Sequence, residues 1–555
     1  MLQLGLYGCL GTGGYSEPVN ILPATEISSE GNGETYAQRN PQMETNPDPS
    51  QEVPTSEIIE KVELWIAPYL PAEITYGLVV PLKLEVIDNY SEAGVHLEVG
   101  DGHPLTYLVY ALAAPFPTVT DSVSTEDIRR VWFASNDYSG TPLLVSPETR
   151  DIFSAWWGPP QGGGVVTMPE GELLAFAWEN RPVWVLRPFE NLVPKWKVMS
   201  VDGVSPIWKD FEVGEYPLSV PVSLSGVDTG PEEVVLTAFE SLLTPTFNRH
   251  PDKLTTIVMT GVTAMVRATA WEMEVKGITY PAGDVAEMMR EADLTHISNE
   301  VPFVEKCPYP DPGQSGMIFC SNPEYMALLE EVGTDVVELT GDHFSDWGPD
   351  TVLYTLELYA EYGLPYYGGG ATPEEGRQAI TFEHNGNKIA FIGCNGKGGG
   401  YAPGSMGLPG AIDCKFDWLE GEIQRLNSQG YLVIFTFQHN ETYSFVPGQQ
   451  LMREFKQVAD YGAKIVSGSQ AHQPHSMEFY RGSLLMYGLG NLFFDQLRFY
   501  ENTDRALIAR HVIYDGRHIS TELFTVYFID YSRPRIMSEE DRIQLLIDVF
   551  SASGW

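Results

Sequence analysis

Apolar runs alternate with amphipathic segments through the second half of the chain. A new strand series opens with ThrThrIleValMetThrGly (255–261). Further buried strands are predicted at 293–298, 334–339, 387–393, 431–437 and 463–467, and helices at 284–292, 323–332, 350–362, 416–428 and 449–461. Such regular alternation predicts a largely parallel sheet with helices on both faces. Late strands at 505–514 and 522–529 and an amphipathic helix at 539–550 follow.

Residues 56–228 carry a different, mixed pattern. A buried strand is predicted at 107–114, and Ser124 with Asp127 forms a capping box that opens a helix. A helix at 172–178 precedes a strand at 183–186. We therefore expect a smaller mixed α/β domain here. A connector at 229–253, with a helix at 231–242, separates it from a larger α/β domain at 254–555.

The charge of the chain narrows the choice of partners. Seventy-five acidic residues against 33 basic ones give a net charge of −42. Such an acidic surface opposes binding to nucleic acid and to anionic lipid. Residues 1–55 are predicted to be a truncated lipoprotein signal followed by a disordered linker, because residues 10 to about 55 are acidic, rich in Gly, Ser, Pro and Asn, and poor in core-forming side chains.

Five cysteines are present, and they form no tight zinc-binding pattern. LeuTyrGlyCys, ending at Cys9, looks like a lipoprotein lipobox whose charged start is missing, which predicts lipidation of Cys9 and a membrane tether for the linker. In the oxidising compartment that this implies, Cys307 would pair with Cys320 and Cys394 with Cys414. Free buried thiols are the alternative.

Polar side chains stand at the ends of several predicted strands. They are Asn299 and Glu300, then Asp342, His343 and Asp346, then His439 and His472, with His475, Asn491 and Asp495 close behind. Because the carboxyl ends of parallel strands meet at one edge, we expect His343, His439 and His472 to share one cleft. Imidazole and carboxylate donors on separate rigid strands suit a divalent metal or an acid/base pair. For any one of these residues alone, a strand-end hydrogen bond is the simpler explanation.

From Ile257 to Gln496 the order of motifs resembles that of the CapA capsule-synthesis family, the poly-γ-glutamate biosynthesis proteins. The motifs are ThrGlyVal, AsnGluVal, GlyAspHis with AspTrpGly, GlnHisAsnGlu, GlySerGlnAlaHis, and GlyAsnLeu with PheAspGln. The resemblance implies a calcineurin-like metallophosphoesterase fold, an α/β sandwich, for the C-terminal domain.

The resemblance also implies roles for single residues. Asp342, His439, His472 and Glu300 would hold a divalent metal such as manganese, zinc or iron. His343 would act as general acid or contact the metal, with Asp342 and Asn299 beside it, and Asp346 would orient the His343 ring. The sequence departs from the family pattern, because Val262 stands where the family has its first Asp. Two family histidines are likewise replaced, by Ser469 and Gln470, so fewer donors remain than a two-metal centre uses.

The N-terminal domain loosely resembles the substrate-binding proteins of bacterial transporters that take phosphate-like solutes. The resemblance is carried by TyrAlaLeuAlaAlaProPheProThrVal (110–119) and TrpValLeuArgProPheGluAsnLeu (184–192). It implies a ligand pocket, with a spacer or docking module as the alternative.

These observations predict an extracytoplasmic, lipid-anchored surface protein that acts on capsule, poly-γ-glutamate or another anionic cell-wall polymer, or with the machinery that makes it. One hypothesis is a metal-assisted hydrolase, and a metal-free carboxylate and imidazole site acting on an amide or ester fits the reduced donor set equally well. The other hypothesis is a non-catalytic polymer-binding or assembly protein with a degenerate metal site. The glycine-rich run at 396–404 would close over a substrate, or form only a flexible loop.

Overall fold

The computed structural model of the protein describes residues 62–76, 84–100, 102–226, 244–497 and 500–555, and these form a mixed α/β structure. The α-helices are α1 (Ala72–Tyr76), α2 (Thr125–Trp132), α3 (Pro147–Trp157), α4 (Glu170–Glu179), α5 (Arg267–Lys276), α6 (Ala286–Arg290), α7 (Met326–Glu331), α8 (Pro349–Glu361), α9 (Pro373–Gly376), α10 (Phe416–Ser428), α11 (Gln449–Tyr461) and α12 (Glu539–Ala552). Short 3-10 helices lie at Phe189–Asn191, Pro251–Lys253, Tyr280–Asp284, Pro323–Tyr325, Gly399–Tyr401 and Pro403–Met406. Cys9, the acidic linker and the predicted helix at 231–242 lie outside the described residues.

The strands belong to four sheets. They are β1 (Val62–Ile66), β2 (Leu84–Val86), β3 (Val95–Val99), β4 (His103–Pro115), β5 (Ser122–Val123), β6 (Leu143–Val145), β7 (Val165–Thr167), β8 (Trp184–Pro188), β9 (Trp196–Val201), β10 (Ser219–Ser225), β11 (Leu254–Thr263), β12 (Leu294–Asn299), β13 (Val336–Glu338), β14 (Tyr366–Tyr367), β15 (Gly369–Gly370), β16 (Ile380–His384), β17 (Asn387–Asn395), β18 (Gly410–Ala411), β19 (Leu432–Gln438), β20 (Ile465–Gly468), β21 (Met477–Tyr480), β22 (Ser483–Met486), β23 (Asn491–Phe493), β24 (Arg505–Tyr514), β25 (Arg517–Ile529) and β26 (Arg533–Ile536).

The N-terminal part is built on one mixed sheet. Its strand order is β2-β1-β3-β10-β4-β8-β6-β7, with β5 and β9 attached through β4. Helix α2 begins after Ser124, whose hydroxyl oxygen accepts a hydrogen bond from the backbone amide of Asp127. The capping pattern read from the sequence therefore forms as predicted.

Two sheets stack face to face in the C-terminal part. One has the order β14-β13-β12-β11-β24-β25-β26, and the other has the order β16-β17-β19-β20-β22-β21. Apolar side chains from both, such as Met259 and Ile434, form a shared core between them. A second core lies between the first sheet and helices α5 to α8, and a third lies between the second sheet and helices α10 and α11.

These three cores define four layers, with helices outside and two sheets inside. The α/β class and the C-terminal sandwich are confirmed. The expectation of a largely parallel sheet with helices on both faces is wrong, because the alternating strands divide between two stacked sheets, with helices α5 to α8 outside one and helices α10 and α11 outside the other. Strand β24 also pairs antiparallel with β11, so the first sheet is mixed.

Parallel pairing brings the motif-bearing strand ends together. In the first sheet Thr263 is paired with Asn299, and Ser298 is paired with Glu338. In the second sheet Asn395 is paired with Gln438, and Phe437 with Gly468. The polar residues that follow these strands therefore emerge at the carboxyl edges of the two stacked sheets.

The N-terminal sheet packs directly on the C-terminal sandwich. Leu254 and Val512 belong to the apolar cluster of the N-terminal sheet. Phe116 packs edge-on against Trp555, with ring centroids 5.9 Å apart. The domain boundary at 229–253 remains a prediction.

Two disulfides lie in the C-terminal part, between Cys307 and Cys320 and between Cys394 and Cys414. The second closes a loop directly after strand β17. Within the described residues, no helix combines the length and apolar character that crossing a membrane requires.

Candidate functional site

The centre of the strand-end cluster is a pair of acidic side chains joined by an amide. Gln438, at the end of β19, donates from Nε2 to Glu300 Oε1 at 3.2 Å and to Asp342 Oδ1 at 2.9 Å. Burial and the neighbouring Asp342 charge raise the pKa of Glu300. Burial also acts to raise the pKa of Asp342, but hydrogen bonding from Glu300 and the charge of Lys397 outweigh it and lower that pKa. Of the two carboxyl groups, Glu300 therefore binds a proton more readily and Asp342 is the more readily ionised.

Lys397 supplies the positive charge of this centre. Its Nζ lies 2.5 Å from Asp342 Oδ2 and 3.5 Å from Glu441 Oε1. The Lys397 side chain is 11% exposed and that of Asp342 is 3% exposed. A carboxylate so removed from water requires a charged or hydrogen-bonded partner, and Lys397 fills that requirement.

His343 stands beside the acid pair and is oriented by Asp346. Its Nδ1 lies 2.8 Å from Asp346 Oδ2, which also accepts a hydrogen bond from the backbone amide of Phe319. Burial lowers the pKa of His343, but the Asp346 hydrogen bond and the charges of Glu300 and Asp342 outweigh this and raise it to about 9. The ring is therefore an imidazolium at neutral pH and can donate a proton.

A polar chain leads from Glu441 to the next strand end. Gln470 donates from Nε2 to Glu441 Oε1 at 3.2 Å and lies 3.4 Å from His472 Nε2. The amide nitrogen of Asn491 donates to the backbone carbonyls of His472 and Thr503, so its oxygen faces the His472 ring.

The ring position fixes the tautomer of His472. Its Nδ1 lies 2.9 Å from Asn491 Oδ1, so Nδ1 carries the hydrogen and donates it. Burial lowers the pKa of His472, although the Glu441 charge acts in the opposite direction. A neutral ring that donates from Nδ1 leaves Nε2 as the acceptor facing Gln470.

His439 is turned away from the acid pair. Its Nδ1 accepts a hydrogen bond of 2.8 Å from the backbone amide of Asn440, so Nε2 carries the hydrogen. Nε2 lies 3.0 Å from Glu454 Oε2 on helix α11. Both ring nitrogens therefore make hydrogen bonds within the protein. His439, which the sequence predicts to be a metal ligand, does not face the acid pair.

The remaining candidates hold the surroundings of the centre in place. Asn299 is fully buried and donates to the carbonyl of Val301 and to Tyr359. Burial raises the pKa of Asp495 to about 6, against the opposing charge of Arg267. The side chain of His475 is buried, and its Nε2 lies 2.9 Å from the carbonyl oxygen of Thr442.

Only some of the side chains predicted to bind a metal ion lie close enough together to do so. In the described residues, Glu300, Asp342 and His343 form the one group of at least three such side chains that could hold an ion, with ligand atoms within 4.8 Å of one another. His439 and His472, both predicted as ligands, are not members of it.

A two-metal centre of the metallophosphoesterase kind does not fit this site. Val262 offers no donor, and the Ser469 hydroxyl points to Glu338 at 2.7 Å. The ammonium of Lys397 is bound to Asp342, so even a single metal would have to displace it.

Five residues of the site were given no individual role from the sequence, although the GlnHisAsnGlu motif contains two of them, Gln438 and Glu441. They are Lys397, Gln438, Glu441, Glu338 and Arg267. Lys397 had a usable signal, because it stands two residues beyond the end of β17, at the same edge as the predicted histidines. Arg267 had none: it is 3% exposed, and its guanidinium lies over the ring of Phe494 at 4.7 Å.

Known proteins of capsule synthesis are similar in sequence to the region that carries the motifs. Residues 256–496 match the family model described as bacterial capsule synthesis protein PGA_cap. The chain is 24% identical over 281 residues to the capsule biosynthesis protein CapA of Bacillus anthracis, covering 50% of this chain and 68% of that one. It is 23% identical over 274 residues to the PGA biosynthesis protein CapA of Bacillus subtilis (strain 168), covering 49% and 72%.

Two solved structures match parts of this chain at low similarity. An ABC-type phosphate transport receptor from Vibrio cholerae is 11% identical with a TM-score of 0.27, covering 33% of this chain and 93% of that one. The NAD nucleotidase NadN of Haemophilus influenzae is 10% identical with a TM-score of 0.33, covering 54% and 62%. From the family model and the two sequence relatives together, residues 256–496 of this chain are similar in sequence to the CapA capsule-synthesis proteins.

Proposed function

We propose that the protein acts at the cell surface in the synthesis or processing of an anionic capsule-type polymer, poly-γ-glutamate or a related cell-wall polymer. The relatives named for capsule and PGA biosynthesis support the polymer class. The single observation that carries a working site is the meeting of Glu300, Asp342 and His343, from two separate strand ends, within 4.8 Å. Lipid anchoring through Cys9 belongs to the same proposal.

The chemistry that these residues support best is acid-assisted cleavage or transfer at an amide or ester bond. The His343 imidazolium, oriented by Asp346, would donate a proton to the leaving group. Ionised Asp342 would accept a proton from the attacking nucleophile. The side-chain amide of Gln438 would hold the carboxyl groups of Glu300 and Asp342 at a fixed separation.

Purified protein incubated with poly-γ-glutamate provides the test. We expect a fall in polymer length by size exclusion and a matching rise in free amino ends. His343→Ala should reduce the rate about 100-fold or more, since a positioned acid contributes roughly that much. His103→Ala is the matched control, because His103 is exposed on the N-terminal sheet. Unchanged length and unchanged amino ends with folded wild-type protein would contradict catalysis on this polymer.

The second candidate is a non-catalytic polymer-binding or assembly role. Two aromatic side chains beside the centre favour it: Tyr401 is 53% exposed and lies against Lys397, and Tyr500 is 46% exposed and stacks on Tyr443. Exposed aromatic rings next to a polar cleft are typical of surfaces that bind extended chains.

Binding without cleavage distinguishes this role from catalysis. Tyr401→Ala and Tyr500→Ala should weaken retention on immobilised poly-γ-glutamate, whereas Tyr90→Ala, an exposed aromatic of the N-terminal part, should not. Because both the protein and poly-γ-glutamate are strongly acidic, added salt should screen the repulsion between them and strengthen retention. Equal retention of all variants would count against this surface.

A further inference from the structure

Lys397 lies at the point where the carboxylates of the site converge. Its ammonium bridges Asp342 and Glu441, the first at 2.5 Å and the second at 3.5 Å. The Asp342 carboxylate is nearly inaccessible to solvent. An uncompensated carboxylate in such a place would be strongly destabilising, so the lysine charge is required in the arrangement that the structure shows.

The backbone around Lys397 is held by specific contacts. Asn395 is fully buried, and its side-chain oxygen accepts hydrogen bonds from the amides of Lys397 and Gly398. Its side-chain nitrogen donates to the carbonyl of Thr340 at 2.8 Å, two residues before Asp342. The Cys394–Cys414 disulfide adjoins Asn395. Lys397 and Asp342 are thereby positioned relative to each other through one asparagine.

The turn after Lys397 depends on glycine. Gly398 and Gly399 have φ values of 62° and 55°, in the left-handed region that side chains disfavour. The chain therefore turns directly after the lysine. The glycine-rich run therefore begins by placing Lys397 in the site.

An ammonium and a divalent cation cannot share this place. Both would need the Asp342 carboxylate, whose Oδ2 is held by the ammonium and whose Oδ1 accepts from Gln438. At such separations a double positive charge beside a single one is strongly repelled. The protein groups that a two-metal centre would add are missing, since Val262 is apolar and both nitrogens of His439 are engaged.

We propose that Lys397 is the resident cation of this site, occupying the place of a divalent metal and excluding it, so that the site works without a metal ion. The inference rests on the proposed function for the identity of the working site. The proposal is tested by measuring metal binding, which does not depend on any effect of the protein on polymer.

Calorimetric titration with Mn²⁺ and metal analysis after dialysis against Mn²⁺ make the test. We expect less than one tenth of an equivalent in the wild type. In Lys397→Met, where Asp342 and Glu441 lose their counter-charge, we expect close to one equivalent and an affinity at least about 100-fold above wild type. Mn²⁺ should also raise the thermal midpoint of Lys397→Met and leave that of the wild type unchanged.

Two further variants serve as controls. Lys388→Met removes an exposed lysine at the opposite end of the same strand and should behave as wild type. Lys397→Met combined with Asp342→Asn should lose the new binding. Stoichiometric Mn²⁺ in the wild type would overturn the proposal, and so would no gain in folded Lys397→Met. If Lys397→Met does not fold, Lys397→Gln gives the same comparison. Mn²⁺ binding by the wild type can be measured without either variant. Cleavage of polymer with no bound metal would support both proposals, whereas no cleavage and no metal would contradict only the catalytic function.

Discussion

The Nδ1 atom of His343 lies 2.8 Å from Oδ2 of Asp346, three residues later in the chain. The backbone amide of Phe319 holds the same carboxylate oxygen, and the Phe319 ring packs edge-on against His343 with centroids 4.7 Å apart. A histidine fixed in this way keeps its orientation and its charge, which is what a proton donor needs.

Asp346→Asn should lower the pKa of His343 from about 9, because the amide retains the shape but loses the negative charge. The folded pKa lies above the usual 6.5, so this interaction stabilises the fold fully below pH 6.5. That stabilisation is lost as pH rises through about 9. Urea unfolding at pH 6 and pH 9 should therefore show the variant weaker by about 2 kcal/mol at pH 6 and close to wild type at pH 9. Asp350→Asn is the control, and an imidazole NMR titration unchanged by Asp346→Asn would contradict the assignment.

Glu338 is a buried structural acid rather than a reactant. It is fully buried at the end of β13, accepts a hydrogen bond from Ser469, and its burial raises its pKa. Glu338→Ala should cost about 3 kcal/mol of unfolding free energy, because it empties a buried site and removes the acceptor of the buried Thr340 hydroxyl. Glu338→Gln should cost about 1 kcal/mol or less. Similar losses in both would mean that the charge itself is needed, and Glu383→Ala on an exposed strand should be neutral.

The two parts of the chain should remain together after the connector is cut. A specific protease site inserted among residues 227–243 allows the cut without touching the described elements. Because Phe116 packs on Trp555 and Arg542 binds Asp121 at 2.7 Å, the fragments should elute as one species on size exclusion. Phe116→Asp should release them, since it places a charge in that apolar contact. Separation of the wild-type fragments would show two independent domains.

The two disulfides should be present in protein produced in an oxidising compartment. Non-reducing peptide mapping should join Cys307 to Cys320 and Cys394 to Cys414. Replacing both Cys394 and Cys414 by Ser should lower the unfolding free energy by about 3 kcal/mol, the loop-closure value for a separation of 20 residues. Four thiols that alkylate without reduction would contradict the pairing.

The sequence by itself determined the elements and the residues at their ends. Helices α10 and α11 begin and end at the predicted residues 416–428 and 449–461, because amphipathic periodicity is a local property that survives any tertiary arrangement. The positions of Asp342 and His343 after a strand were likewise readable, since a buried strand must end before polar residues begin.

Only the tertiary structure decided which strands are neighbours and which side chains meet. Strands β12 and β17 have the same apolar pattern yet belong to different sheets, because pairing is chosen by long-range packing that no local period encodes. Long-range packing also decides where His439 points. It follows its strand as predicted, but its ring binds Glu454 of the next helix instead of facing the acid pair. Lys397 reaches Asp342 across 55 residues of sequence, through a loop fixed by Asn395, and this contact gives the site its cation.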